Sequence, residues 1–195
     1  MDQRLLDALA PLVDVFEALG IEYQVGGSLA SSVHGVPRSS LDIDVLTALP
    51  AEKVSALVER IQDTYYVSKT RAVSAVERES SFNVIHLQMM FKVDIFIVRS
   101  QKFRRSSLRR RKRELLGLGK EQAFFLTSAE DIVLHKLDWY RSGGGVSNQQ
   151  WQDVVGVLRV QDDELDFGYL RQWASELEVS DLLEAALSEA SGDDT

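Results

Sequence analysis

The sequence predicts an α/β (α+β) fold: a core with a mixed sheet, followed by a C-terminal helical subdomain. Two observations carry this. Strand-like runs are confined to residues 22–126, and everything from Ser128 onward reads as helical. Composition agrees, since 195 residues at 45% hydrophobic and 27% charged can bury a sizeable core. The expected organisation is a core over 1–126, a helical subdomain over 127–190 and a frayed acidic tail over 191–195.

The elements follow in order. An opening helix covers about Asp2 to Leu19, with Pro11 expected to kink or divide it. Glu22-Tyr23-Gln24-Val25 is a short strand ending at Gly26-Gly27. Ser28 then opens a helix over Leu29 to His34. The loop Gly35 to Ser40 leads into the strand Leu41 to Val45. Pro50-Ala51-Glu52 starts a helix with Val54, Leu57, Val58 and Ile61 on one face. Strands follow at Ser81 to Gln88 and Phe91 to Val98, with Met89-Met90 either a tight turn or part of one continuous strand. Gln122 to Leu126 is another strand. Ser128-Ala129-Glu130-Asp131 is a capping box or its Asp variant, opening a helix over Ile132 to Tyr140. Gly143-Gly144-Gly145 separates it from a helix over Gln150 to Leu158, and two more helices cover 167–177 and 180–187.

Several function classes drop out. With no cysteine, disulfides, zinc thiolates and cysteine nucleophiles are excluded. The start Met1-Asp2-Gln3-Arg4 has none of the features of an export signal, and no apolar stretch has the length of a membrane span. A cytoplasmic protein is expected. His34, His86 and His135 show no metal-ligand spacing and read as structural.

The chemistry centres on Asp42 and Asp44. Residues two apart on a strand share a face, so these carboxylates project together while Leu41, Ile43 and Val45 point into the core. Adjacent carboxylates repel, and a divalent cation with a preference for oxygen ligands would neutralise both. An acidic solvent-facing strand would carry the same pattern. The strand, Gly26-Gly27 turn and helix start at Ser28 form a natural phosphate cradle, or simply a tight turn. Asp94 interrupts the apolar strand Phe91 to Val98, where an unpaired carboxylate would be costly. It reads most economically as a third metal ligand.

The order Gly27-Ser28, Asp42-x-Asp44 and then Asp94 resembles the nucleotidyltransferase superfamily of the polymerase-beta type, over roughly residues 20 to 98. The spacer from Ser28 to Asp42 is longer than in the shortest members. Lys136 on one late helix and Asp153 on the next resemble the AbiEii-like branch, which includes abortive-infection and toxin–antitoxin nucleotidyltransferases. The resemblance implies that Lys136 and Asp153 complete the active site, lining a cleft opposite the three carboxylates. A Lys point charge suits triphosphate oxygens, and an Asp nearby would hold its amine. Taken without the family, Lys136 and Asp153 read as solvated charges on amphipathic helices.

The expected activity is metal-dependent transfer of a nucleoside monophosphate from a triphosphate such as ATP or GTP to an acceptor hydroxyl. Asp42, Asp44 and Asp94 would hold Mg²⁺, or Mn²⁺ in its place. Gly26, Gly27, Ser28, Arg38 and Lys136 would contact phosphate, and Asp153 would orient Lys136. RNA, tRNA in particular, is the acceptor that the toxin branch implies, with an antitoxin protein as partner. The alternatives are transfer to an antibiotic or to a protein side chain, or a non-catalytic nucleotide-binding module.

Charge is segregated. The formal net charge is −8, yet nine of the 22 basic residues fall between Arg99 and Arg113 without one acid: Arg99, Lys102, Arg104, Arg105, Arg109, Arg110, Arg111, Lys112 and Arg113. This segment would bind RNA, remain a solvated helix, or dock on the protein's own acidic surface. Phe103 is its only aromatic residue, so a stacking platform for single-stranded nucleic acid is not evident.

Overall fold

The computed structural model describes residues 3–40, 42–117 and 122–192. Asp2 at the start of the first helix, Leu41 before Asp42 and the tail at 193–195 lie outside the described residues. Two compact units make up the chain: Met1–Gly26 with Ser39–Thr127, and Gly27–Arg38 with Ser128–Thr195.

The first unit is built on a mixed sheet, which among the described residues has seven strands. These are β1 (Tyr23–Val25), β2 (Asp42–Thr47), β3 (Tyr65–Val67), β4 (Ser81–His86), β5 (Lys92–Ile97), β6 (Lys112–Leu116) and β7 (Gln122–Leu126). Their order across the sheet is β3-β4-β5-β2-β1-β7-β6. β2 runs parallel to β5 and β1 parallel to β7, while the other neighbouring pairs are antiparallel. Alternation along the central strands sets the two faces. Ile43, Val45, Val84, Val93, Ile95 and Ile97 are buried, whereas Asp42, Asp44, Lys92 and Asp94 stand on the opposite, partly open face.

Helices α1 (Gln3–Ala18), α3 (Val54–Ile61), α4 (Lys69–Arg78) and α5 (Lys102–Arg110) belong to this unit, and α1 and α4 both pack on α3. The predicted face of α3, Val54, Leu57, Val58 and Ile61, is buried. Pro11 does not divide α1, which is one continuous helix. Beside the proline, the Tyr65 hydroxyl accepts from the Leu12 N–H at 3.1 Å and donates to the Ala8 carbonyl at 2.7 Å. The hydroxyl therefore bridges the turn that the proline ring crowds. Tyr65 is buried, and burial pushes its phenol pKa well above the ordinary value. Tyr65→Phe is expected to leave both helix groups short of a partner and to cost about 1–3 kcal/mol of stability, measured by urea unfolding. An unchanged urea midpoint would show that the helix closes this turn without the hydroxyl.

The segment between β4 and β5 is a turn, not continuous strand. Met90 has φ +59° and donates its N–H to the His86 carbonyl at 2.8 Å. Three elements lie outside the sequence expectation: β3, α4 and β6. α4 is mostly polar and buries only Ala72, Ala75 and Val76. β6 carries the end of the basic run along the sheet edge, a position where Lys and Arg suit an unpaired strand.

The second unit is helical. It contains α2 (Gly27–His34), α6 (Ala129–Ser142), α7 (Asn148–Gln161), α8 (Phe167–Glu176) and α9 (Ser180–Ser191). α6 starts at the predicted Ser128 cap, whose hydroxyl accepts from the Asp131 N–H at 3.2 Å. α7 packs against α2, α6 and α9. Leu29, Leu134, Leu137, Val154, Val157, Leu170 and Leu183 form its core. Gly35 closes α2 onto α7, since a Cβ there would meet the Val157 backbone nitrogen at 2.8 Å. Only glycine lets the two backbones approach this closely.

Among the described residues no helix is long and apolar enough to cross a membrane.

Candidate active site

The first unit assembles the three predicted acids. The parallel register of β2 and β5 sets Asp42 opposite Lys92 and Asp44 opposite Asp94. Because the side-chain period of a strand is two, all four share one face. The backbone at the end of β1 is fixed beside them, with the Gly26 N–H donating to the Asp44 carbonyl at 2.9 Å. A side chain at Gly26 would crowd Leu46, its Cβ falling 3.1 Å from Leu46 Cδ1.

Lys92 is the member that no motif marks. Its ammonium lies 2.8 Å from Asp94 Oδ2 and 3.4 Å from Asp42 Oδ1. Hydrogen bonding to Asp94, reinforced by the charges of Asp94 and Asp42, raises the Lys92 pKa. The available signal was its spacing: two residues before Asp94, it had to share the acid face.

Among the described residues, no three His, Asp or Glu side chains are placed closely enough together to hold a metal ion between them. The donor set nevertheless fits a hard cation. It offers carboxylate oxygens from two adjacent strands on one face, and a cationic group already stands between two of them. Next to these acids, Asp94, Asn83, Arg71, Ser74, Ser80 and Ser81 line a polar pocket formed by α4, β4 and β5. Asn83 faces Asp94 directly across the β4–β5 pair.

The second unit holds the other predicted residues. Gly27 opens α2 with φ +55°, a left-handed conformation that favours glycine, and Ser28 follows, largely buried. The Gly35 approach to α7 brings the following loop alongside that helix. There the Arg38 guanidinium donates to both oxygens of Asp153, at 2.7 and 2.8 Å. From α6, the Lys136 ammonium donates to Asp153 Oδ2 at 2.7 Å and to Gln150 Oε1 at 3.2 Å. Lys136 and Asp153 are both buried, so they are not a solvated surface pair. Burial alone would raise the Asp153 pKa. Hydrogen bonds from Arg38 and Lys136, and their charges, outweigh it and hold the pKa below 3.8. Asp153 thus gathers two cationic side chains, one from the loop after α2 and one from α6. Arg38 is thus tied to Asp153, a partnership with no local signal across 115 residues.

The basic segment divides. Phe103 and Leu108 of α5 are buried, and Ser107 accepts from Gln24 at 2.8 Å. Arg111 folds back on its own unit, stacked 4.9 Å from the Phe125 ring centre and 3.5 Å from Glu22. Lys102, Arg105, Arg109, Lys112 and Arg113 remain exposed.

No protein-family model matches this chain, and no curated protein matches it significantly in sequence. Solved structures do match. The antibiotic-resistance factor ANT(2'')-Ia superposes with a TM-score of 0.55 at 11% identity, over 99% of this chain and 98% of that one. An antigenic nucleotidyltransferase-like protein from Paracoccidioides brasiliensis gives a TM-score of 0.55 at 15% identity, over 95% of this chain and 92% of that one. The chain has the nucleotidyltransferase fold, a mixed α/β core with helices, as the sequence predicted.

Proposed function

We propose that this protein is a metal-dependent nucleotidyltransferase that moves a nucleoside monophosphate from a triphosphate to an acceptor hydroxyl. The observation carrying this reading is the placement of Asp42, Asp44 and Asp94 on one face of adjacent parallel strands, within a nucleotidyltransferase fold. Asp42, Asp44 and Asp94 would hold Mg²⁺ or Mn²⁺. Bound there, the cation would supply charge neutralisation at the phosphates and a lowered pKa for the attacking hydroxyl.

The remaining roles belong to the chain itself. Gly26 keeps the backbone slim beside the acids, and Gly27 and Ser28 offer helix-start N–H groups to phosphate oxygens. Asp94 borders the polar pocket of Arg71, Ser74 and Asn83, which gives an acceptor hydroxyl a place beside it. The hydroxyl oxygen forms a bond to the α-phosphorus as the bond to pyrophosphate breaks, and the hydroxyl proton leaves to solvent. Lys136, held by Asp153, offsets phosphate charge, and Arg38 fixes the Asp153 carboxylate from the other side.

RNA is the first acceptor to test, because exposed Lys102, Arg105, Arg109, Lys112 and Arg113 form a basic surface on an otherwise acidic chain. The AbiEii-like reading adds growth arrest on expression, relieved by Asp42→Ala, and a neutralising antitoxin. A small antibiotic acceptor is the second reading, since the fold is that of an antibiotic-resistance factor along nearly the whole chain. Incubation with Mg²⁺ or Mn²⁺, each α-labelled nucleoside triphosphate, total RNA and an aminoglycoside panel tests both. Label is expected in the RNA fraction. Label on a drug transfers the assignment to the second reading, and no label with any donor, RNA or drug sinks both.

A further inference from the structure

Lys92 sits where the two metal-bearing strands of the proposed site meet. Its ammonium contacts one carboxylate on each strand, Asp42 on β2 and Asp94 on β5. Lysine is a compact charge on a flexible stem and imposes no coordination geometry. Its side chain is 39% exposed, so it can leave this position without opening the core.

We propose that Lys92 is a resident counter-cation that occupies the Asp42–Asp44–Asp94 face and must be displaced when a divalent cation binds. The inference rests on reading these three acids as metal ligands. A divalent ion arriving alone has to break two ion pairs and then sit near an unpartnered ammonium, so its affinity is lowered. A triphosphate arriving with the ion gives the displaced ammonium new phosphate partners. Lys92 thus couples metal entry to substrate entry, and discourages a tightly held metal in the absence of nucleotide.

Titration of the full chain with Mn²⁺ alone, followed by the paramagnetic resonance of the free ion, tests this without an activity assay. Lys92→Met is expected to bind Mn²⁺ roughly tenfold more tightly than the parent, a modest change because the lysine is partly solvated. Lys92→Arg, which keeps the charge, is expected to match the parent. Lys92→Gln carries the same test if the methionine variant does not fold. Equal Mn²⁺ affinity in the parent and the neutral variants overturns the role of Lys92 and leaves the metal reading standing. No Mn²⁺ binding by any of the proteins overturns both.

Discussion

Asp44→Ala is expected to lower nucleotidyl transfer by about 10³-fold or more, because the proposed cation would lose one of its carboxylate ligands. Its position explains the size. Asp44 is the half-buried member of the pair, directly opposite Asp94 on β5, whereas the Asp42 side chain is 58% exposed. Loss of Asp44 therefore leaves a gap between the strands, where water is a poor substitute for a fixed carboxylate. Stability is read alongside, as the melting temperatures of parent and variant. Together the two readouts separate a functional loss from a folding defect. Transfer undiminished in Asp44→Ala, measured as label incorporated per enzyme, would remove these acids from the chemistry.

The fold was legible where local pattern and tertiary context agree. The helix face Val54, Leu57, Val58, Ile61 and the strand Gln122 to Leu126 were both plain from residue type and spacing. α4 was not, because its segment is largely polar and its buried stripe is only Ala72, Ala75 and Val76. β6 hid inside a charge run, where Lys112, Arg113 and Glu114 say nothing of an edge strand that only tertiary pairing with β7 defines. A division of the helix at Pro11, one of the two outcomes expected there, is absent for a related reason. A hydroxyl from Tyr65, distant in sequence, bridges the neighbouring helix groups. At the site, the strand period placed Asp42 and Asp44 together from sequence alone. The register that sets Asp44 against Asp94 and brings Lys92 onto Asp42 depends on how β2 pairs with β5. Local sequence does not encode that pairing.

Asp153→Asn is expected to be the most destabilising single change in the second unit, costing about 3–5 kcal/mol. The residue is a carboxylate shared by Arg38 and Lys136, and its side chain is only 7% exposed. Asparagine keeps the shape but offers one acceptor oxygen and no charge, leaving the buried Lys136 ammonium beside a neutral amide. Adding Lys136→Met to Asp153→Asn is expected to recover part of the loss, because the stranded charge is then gone. Acid titration gives an independent check. The carboxyl pKa is depressed in the folded state, so its contribution is complete above 3.8, the ordinary value, and is lost as pH falls through the lower folded value. The difference in urea-unfolding free energy between parent and Asp153→Asn should therefore hold constant from neutral pH into the weakly acidic range. It should shrink only below 3.8, as the parent's own carboxyl takes up its proton. A difference that instead vanished near neutral pH would mean that Asp153 is not held ionised by Arg38 and Lys136.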